Sequence, residues 1–143
     1  MNVFTIGFAQ KSAEEFFTLL TDNGVKKLID IRLNNKSQLA GFANAKHLPY
    51  FLKLHNIGYE YKPELAPSKE LLNGYKDKSI NWEEYIKVYN KILIDRDIIK
   101  NISINEWDNI VLLCSEPIAK QCHRRLMAEY LAKNFEKIKI KHL

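Results

Sequence analysis

Five residues near the carboxyl end of the sequence have side chains that could bind a ligand or react with one. They are Cys114, Glu116, Cys122, His123 and Arg124. The apolar run at 110–113 ends at Cys114, and the basic residues begin a segment with the spacing of a helix. In α/β proteins, ligands bind where strands end and the following helices begin. We therefore expect the functional site in this segment.

Cys114 has two interpretations. A thiol at a strand end, near a helix N-terminus and Arg124, has its thiolate form stabilised and can act as a nucleophile. Cysteine is also one of the most frequently buried residue types, so Cys114 can equally belong to the core. The C-x5-R pattern of cysteine phosphatases is broken because Lys120 occupies the arginine position.

Several side chains of this region are of types that bind zinc. They are Cys114, Cys122, His123 and His142. Adjacent residues on a helix point in different directions, so Cys122 and His123 do not easily bind one ion. Zinc motifs also usually place their paired cysteines closer together in sequence. We therefore expect no metal site, and we expect no cofactor.

His123 and Arg124 at the start of a helix favour anion binding. The free backbone N–H groups and the helix dipole attract negative charge there, and arginine offers two parallel donors to phosphate or carboxylate. Arg32, at the end of an earlier strand, could supply a second such group. In the alternative interpretation the arginines are internal, and Arg32 or Arg124 pairs with Asp30 or Glu116.

Glu116 is the candidate for a reacting carboxylate. Partial burial in a cleft beside Pro117 can tune a carboxyl group into a general base or a glycosidase-type nucleophile. Its alternative role is to neutralise an arginine. The candidate catalytic residues are therefore Glu116 and Cys114.

Length and composition limit the architecture and the location. With 143 residues, 46% of them hydrophobic and 27% charged, the chain fits one domain that spans residues 1–143. The net charge of +5 favours anionic ligands, although 22 Lys and Arg against 17 Asp and Glu is also typical of lysine-rich bacterial proteins. Neither a secretion leader nor a membrane-spanning apolar run is evident, and two cysteines make no disulfide framework. We expect a cytoplasmic protein with no membrane contact.

The elements that must position these residues alternate between strands and helices. A helix is predicted between the capping box of Ser12 and Glu15 and the stop signal Asn23-Gly24. The strands are predicted at 2–8, 25–32, 56–61, 109–114 and 137–142. Further helices are predicted at 48–55, 81–93 and 120–133, a partly helical segment at 94–107, and loops at 33–46 and after Pro63.

This alternation predicts a three-layer α/β fold. Its central sheet would be largely parallel, with about five strands and helices on both faces. The last strand has the pattern of an edge strand, with lysines at 137, 139 and 141 on one wet face. If the strands are parallel, their carboxyl ends bring Gly7, Arg32 and Cys114 to one edge of the sheet.

Short motifs are spread along most of the chain. They are Thr5-Ile6-Gly7, Ile29-Asp30-Ile31-Arg32 with Ser37 and Phe42 downstream, Glu64-Leu65, and Leu112-Leu113-Cys114-Ser115-Glu116 leading to Cys122-His123-Arg124. With these motifs the sequence resembles the family catalogued as domain of unknown function 488. The resemblance implies a small cytoplasmic prokaryotic α/β domain. Phe8-Ala9 stands where the family often has histidine and serine, and Ala66-Pro67 stands where it has two glycines.

The leading functional prediction is a crevice at the strand ends that binds a phosphate-bearing ligand, either a nucleotide or nucleic acid. Hydrolase or glycosidase-type chemistry is left open. The predicted ligand-binding residues are Gly7, Arg32, Ser37, Cys122, His123 and Arg124. Two alternatives remain: a non-enzymatic interaction module that uses the lysine face of the last strand, and a cysteine-dependent enzyme that uses Cys114. The sequence does not determine the oligomeric state.

Overall fold

In the computed structural model, which describes residues 1–36, 41–115 and 119–143, the strands of the described residues form one parallel sheet. The strands are β1 (Asn2–Gly7), β2 (Lys27–Asp30), β3 (Gly58–Tyr61), β4 (Ile110–Cys114) and β5 (Lys139–His142). Their order across the sheet is β3-β2-β4-β1-β5, and every neighbouring pair is parallel. The predicted three-layer α/β fold with five strands is confirmed.

Helices cover both faces of this sheet. They are α1 (Ala13–Asp22), α2 (Leu48–Leu54), α3 (Lys69–Lys76), α4 (Trp82–Asp95) and α5 (His123–Asn134). Phe16 of α1 and Leu52 of α2 lie in the core on one face, which we call the α1/α2 face. Tyr89 of α4 and Leu131 of α5 lie in the core on the other, the α4/α5 face. Because strand side chains alternate between the faces, the central strands β1, β2 and β4 each contribute to both cores.

The capping box predicted for α1 is present. The Ser12 hydroxyl accepts a hydrogen bond from the Glu15 backbone N–H at 3.1 Å, and the Glu15 carboxylate accepts one from the Ser12 N–H at 3.4 Å. Such an N-cap stabilises a helix by about 1 kcal/mol. After α1 the chain turns at Gly24, whose φ of +66° is readily adopted by glycine. α1 is therefore bounded by local sequence signals.

The segment after Pro63, which the sequence analysis predicts to be a loop, contains α3. This prediction is wrong because two helix-breaking residues obscure the pattern. Pro67 lies just before the N-cap Ser68, whose hydroxyl accepts a hydrogen bond from the Leu71 N–H at 3.1 Å. Gly74 lies within the helix, and Ile80 packs closely against it. A Cβ at position 74 would be 2.5 Å from Ile80 Cδ1, so only glycine fits this contact. Tertiary packing thus outweighs local propensity.

The connections of the central strands diverge at the carboxyl end of β4, which is where this topology is expected to form a crevice. β4 lies between β2 and β1. The chain leaves β1 and β2 toward helices on the α1/α2 face, whereas it leaves β4 toward α5 on the opposite face. A crevice forms where neighbouring parallel strands send their connections to opposite faces. The end of β4, where Cys114 lies, is therefore at the centre of this strand-end crevice.

The remaining strands form the edges of the sheet. β5 is hydrogen-bonded to β1 on one side only, which confirms the predicted edge position of the last strand. β2 is shorter than the predicted strand at 25–32, so that Arg32 lies beyond its end rather than within it. None of the helices in the described ranges is both long enough and apolar enough to cross a membrane.

Candidate functional site

The end of β4 and the start of α5 bring most of the predicted site residues together. Cys114, Cys122, His123 and Arg124 are 1%, 4%, 9% and 1% exposed. Gly7, also a predicted site residue, is paired with Cys114 in the register of β1 and β4. Two further predicted site residues, Glu116 and Ser37, lie outside the described residues. The roles assigned to all of these residues stay predictions.

Arg32 forms a buried ion pair with Asp30, as the internal alternative predicts. The guanidinium Nε and Nη2 of Arg32 each donate to a different carboxylate oxygen of Asp30 at 2.8 Å. The Arg32 backbone N–H and the Tyr59 hydroxyl also donate to this carboxylate, at 3.1 and 2.7 Å. Asp30 is 0% and Arg32 3% exposed, so the pair is shielded from solvent screening.

The third nitrogen of the Arg32 guanidinium is not used by this pair. Nη1 is buried and has no hydrogen-bond partner among the described residues. The guanidinium carbon lies 5.4 Å from the ring centroid of Phe8, which follows β1. Arg32 follows β2 and Phe8 follows β1, and these two strands lie on either side of β4. Arg32 therefore has both an internal partner and a donor available to a ligand.

Two tyrosines of β3, Tyr59 and Tyr61, hold Asp30 and Arg32 in place. Neither was among the predicted site residues. Burial and the hydrogen bond to Asp30 raise the pKa of Tyr59 above its ordinary value, which keeps its hydroxyl protonated as a donor. The Tyr61 hydroxyl donates to the backbone carbonyl of Arg32 at 3.0 Å. Their spacing of two residues in a strand next to β2 is the signal that could have identified them.

His123 connects α5 to the end of β2. Its Nε2 lies 2.8 Å from the carbonyl oxygen of Ile31, and because a carbonyl only accepts, Nε2 carries the hydrogen. The ring packs edge-on against Tyr89, with the centroids 5.9 Å apart. Its other nitrogen, Nδ1, lies 3.9 Å from the Cys122 sulfur. The imidazole is thus held in one orientation beside a thiol.

The two cysteines are in contact with each other. A hydrogen bond with Cys114 lowers the pKa of Cys122 well below the usual range of a thiol, and the neighbouring His123 lowers it further. Burial opposes these effects. Cys122 is also the N-cap residue of α5, a position where the helix dipole stabilises a thiolate. Of the two cysteines, Cys122 is therefore the better candidate for a thiolate.

Positive charges meet near the carboxyl end of β1. The pKa of Lys11 is lowered by partial burial and by the charge of Arg124. The pKa of His142, on β5, is likewise lowered by partial burial, by Arg124 and by Arg125. Nδ1 of His142 lies 2.6 Å from the Thr5 hydroxyl, which anchors the ring to β1. We call Lys11, Arg124 and His142 the cationic cluster.

The sequence analysis missed Lys11, because its role depends on contacts with residues distant in sequence. A basic residue soon after the first strand was the available signal, since that turn lies at the same edge of the sheet as Cys114. As for metals, the described part of the chain contains no group of three or more histidine, cysteine, aspartate or glutamate residues that could hold an ion.

Comparison with known proteins identifies the family. The model of the family described as "Domain of unknown function DUF488" matches residues 12–131. Neither the curated proteins nor the solved structures gave a match. The matched range contains Arg32, both cysteines, His123 and Arg124, and it covers well over half of the chain. The resemblance noted from the sequence motifs is thereby confirmed, and the chain belongs to the DUF488 family.

Proposed function

We propose that this protein binds a phosphate-bearing ligand in the strand-end crevice. The observation that carries the proposal is the cationic cluster: besides partial burial, the charge of Arg124 lowers the pKa values of both Lys11 and His142, so Arg124 repels each of them when they are charged. Glu15 and Glu129 act in the opposite direction, on Lys11 and His142 respectively. A bound anion would relieve this repulsion. Cations held together at the end of a parallel strand, beside the start of a helix, are typical of phosphate sites.

The Nη1 donor of Arg32 favours a ligand that is larger than a single phosphate group. Its buried Nη1 has no acceptor among the described residues, and a buried donor without a partner costs about 1–3 kcal/mol. The Arg32 guanidinium contacts Phe8, and the Lys11 backbone N–H donates to the Phe8 carbonyl at 3.2 Å. The turn at 8–11 thus links Arg32 to the cationic cluster. A nucleotide offers a phosphate for the cluster and further oxygen acceptors for Arg32.

Replacement of Lys11 by glutamine tests this proposal. A panel of nucleoside mono-, di- and triphosphates, pyrophosphate and short single-stranded RNA and DNA would be screened by thermal shift, followed by calorimetry. We expect Lys11→Gln to weaken the best ligand by about ten- to a hundredfold, the usual effect of losing one charged hydrogen bond. Lys87→Gln on the exposed side of α4 removes the same charge and should leave binding unchanged. Equal effects of the two variants, or no ligand in the panel, would refute the proposal.

The pH dependence of anion binding provides a second test. Because the pKa of His142 lies below its ordinary value, the ring gains its positive charge only as the pH falls through that lowered pKa. Anion affinity should therefore rise by about two- to fivefold at low pH, the modest gain expected of an exposed charge. Sulfate is a suitable probe because its own charge stays constant in this range. The rise should be absent from His142→Gln, and its persistence there would exclude His142 from the site.

Salt dependence separates the two ligand classes. A nucleic acid contacts several phosphates, so its affinity would fall steeply with ionic strength, whereas a single nucleotide would show a shallow dependence. We favour the nucleotide, because the Arg32 donor is buried at the base of a crevice rather than on an open basic surface. We further propose a cytoplasmic location, since neither cysteine is part of a disulfide, as is usual in a reducing compartment.

A further inference from the structure

We propose that Cys122 and Cys114 form a reversible oxidation site, in which a hydroperoxide oxidises Cys122 and Cys114 then closes a disulfide with it. The cysteines lie at the same end of β4 as the proposed ligand site, but their oxidation does not depend on ligand binding. Cys114 is the last residue of β4, and Cys122 immediately precedes α5. The start of α5 lies against the end of β4, because the His123 ring reaches the Ile31 carbonyl at 2.8 Å and the Ile31 N–H donates to the Leu113 carbonyl at 3.3 Å. In this position the Cys122 thiol hydrogen-bonds with Cys114.

The surroundings of Cys122 assign it the attacking role. His123 lies next to it, with Nδ1 at 3.9 Å from the sulfur and with Nε2 fixed on the Ile31 carbonyl. A fixed imidazole can take the thiol proton and remain beside the resulting thiolate. Cys122 also lies at the N-terminus of a helix that runs over twelve residues, from His123 to Asn134. Both features favour the thiolate, which is the form that reacts with peroxides.

The reaction balances without any further group. The Cys122 thiolate attacks one oxygen of the hydroperoxide, the O–O bond breaks, and Cys122 becomes a sulfenic acid while water or an alcohol leaves. The Cys114 sulfur then attacks the Cys122 sulfur, the S–O bond breaks, and a second water leaves with the Cys114 proton. The two sulfurs have lost two electrons to the peroxide. An external dithiol restores both thiols by exchange.

Burial selects the oxidant. Cys122 is 4% and Cys114 1% exposed, so a bulky disulfide reagent has little access to either sulfur. A small hydroperoxide is the oxidant that fits. The neighbouring Cys114 thiol also favours a disulfide over further oxidation of Cys122, because it can react with the Cys122 sulfenic acid before a second peroxide does.

Mass spectrometry of the intact protein tests the proposal. One equivalent of hydrogen peroxide should convert the wild type into a species that has lost two hydrogens and has no free thiol. Dithiothreitol added in urea, which exposes the buried sulfurs, should reverse the change. In Cys114→Ala the sulfenic acid should persist on Cys122 and be trapped by dimedone added in urea. Cys122→Ala should leave Cys114 to react at least about tenfold more slowly than Cys122 does in Cys114→Ala.

Two results would overturn the proposal. One is a wild type that gains oxygen atoms or stays unchanged instead of losing two hydrogens. The other is equal oxidation rates for the two single-cysteine variants. Since alanine at a buried position can destabilise the fold, each variant's thermal unfolding would be measured first. The wild-type measurement decides the question even if a variant fails to fold.

Discussion

Asp30→Ala is expected to lower the free energy of unfolding by about 3–5 kcal/mol, the usual cost of leaving a buried charge without its partner. Asp30 receives two hydrogen bonds from the Arg32 guanidinium, and Arg32 is 3% exposed. Without the carboxylate, the guanidinium would remain buried with its charge uncompensated. Urea unfolding followed by circular dichroism measures the change.

Two further variants identify the cause of this loss. Tyr59→Phe removes one hydrogen bond to the same carboxylate and should cost about 1 kcal/mol. The double variant Asp30→Leu with Arg32→Met removes both charges and should be more stable than Asp30→Ala, because apolar residues of similar size often replace a buried ion pair at little cost. If the double variant is instead less stable than the single one, the uncompensated charge is not the cause.

His123→Ala is expected to lower the free energy of unfolding by about 2–4 kcal/mol. The change leaves the Ile31 carbonyl without its hydrogen bond and opens a cavity beside Tyr89. It should also raise the pKa of Cys122, because His123 is one of the groups that lower it. Urea unfolding measures the stability, and the ultraviolet absorbance of the thiolate as a function of pH follows the pKa.

His123→Gln separates these two effects. Its amide can donate to the Ile31 carbonyl, so part of the stability should return. The amide cannot carry a positive charge, so the pKa of Cys122 should stay as high as in His123→Ala. A pKa that returns to the wild-type value in His123→Gln would mean that the imidazole charge does not act on Cys122, and it would remove His123 from the proposed oxidation site.

Local signals in the sequence were sufficient for much of the fold. The capping box of Ser12 and Glu15 fixed the start of α1, and the apolar run at 110–113 identified β4 because buried parallel strands lack polar residues. The pairing of Asp30 with Arg32 was also accessible, since strand residues two apart share a face. In each case the interacting residues are close together in sequence.

Contacts between distant segments could not be predicted in the same way. The partner of His123 is the Ile31 carbonyl, 92 residues earlier. Every residue has a main-chain carbonyl, so the residue type at position 31 does not indicate this acceptor. The charge of Arg124 acts on His142 only because β5 lies next to β1, and a single sequence does not specify that strand order. The roles of these residues depend on topology, which local patterns constrain weakly.

The pairing of β5 with β1 also has a kinetic consequence. Thr5 and His142 are 137 residues apart, so docking of β5 closes almost the whole chain into a loop, a contact that forms late and slowly. β5 also has a single neighbouring strand, and its side chains are mostly exposed, so it is the strand most prone to open locally. An anion held between Lys11 and His142 would bind only the closed form. The ligand would thus stabilise the pairing of β5 with β1, and amide hydrogen exchange in β5 should slow when the ligand binds.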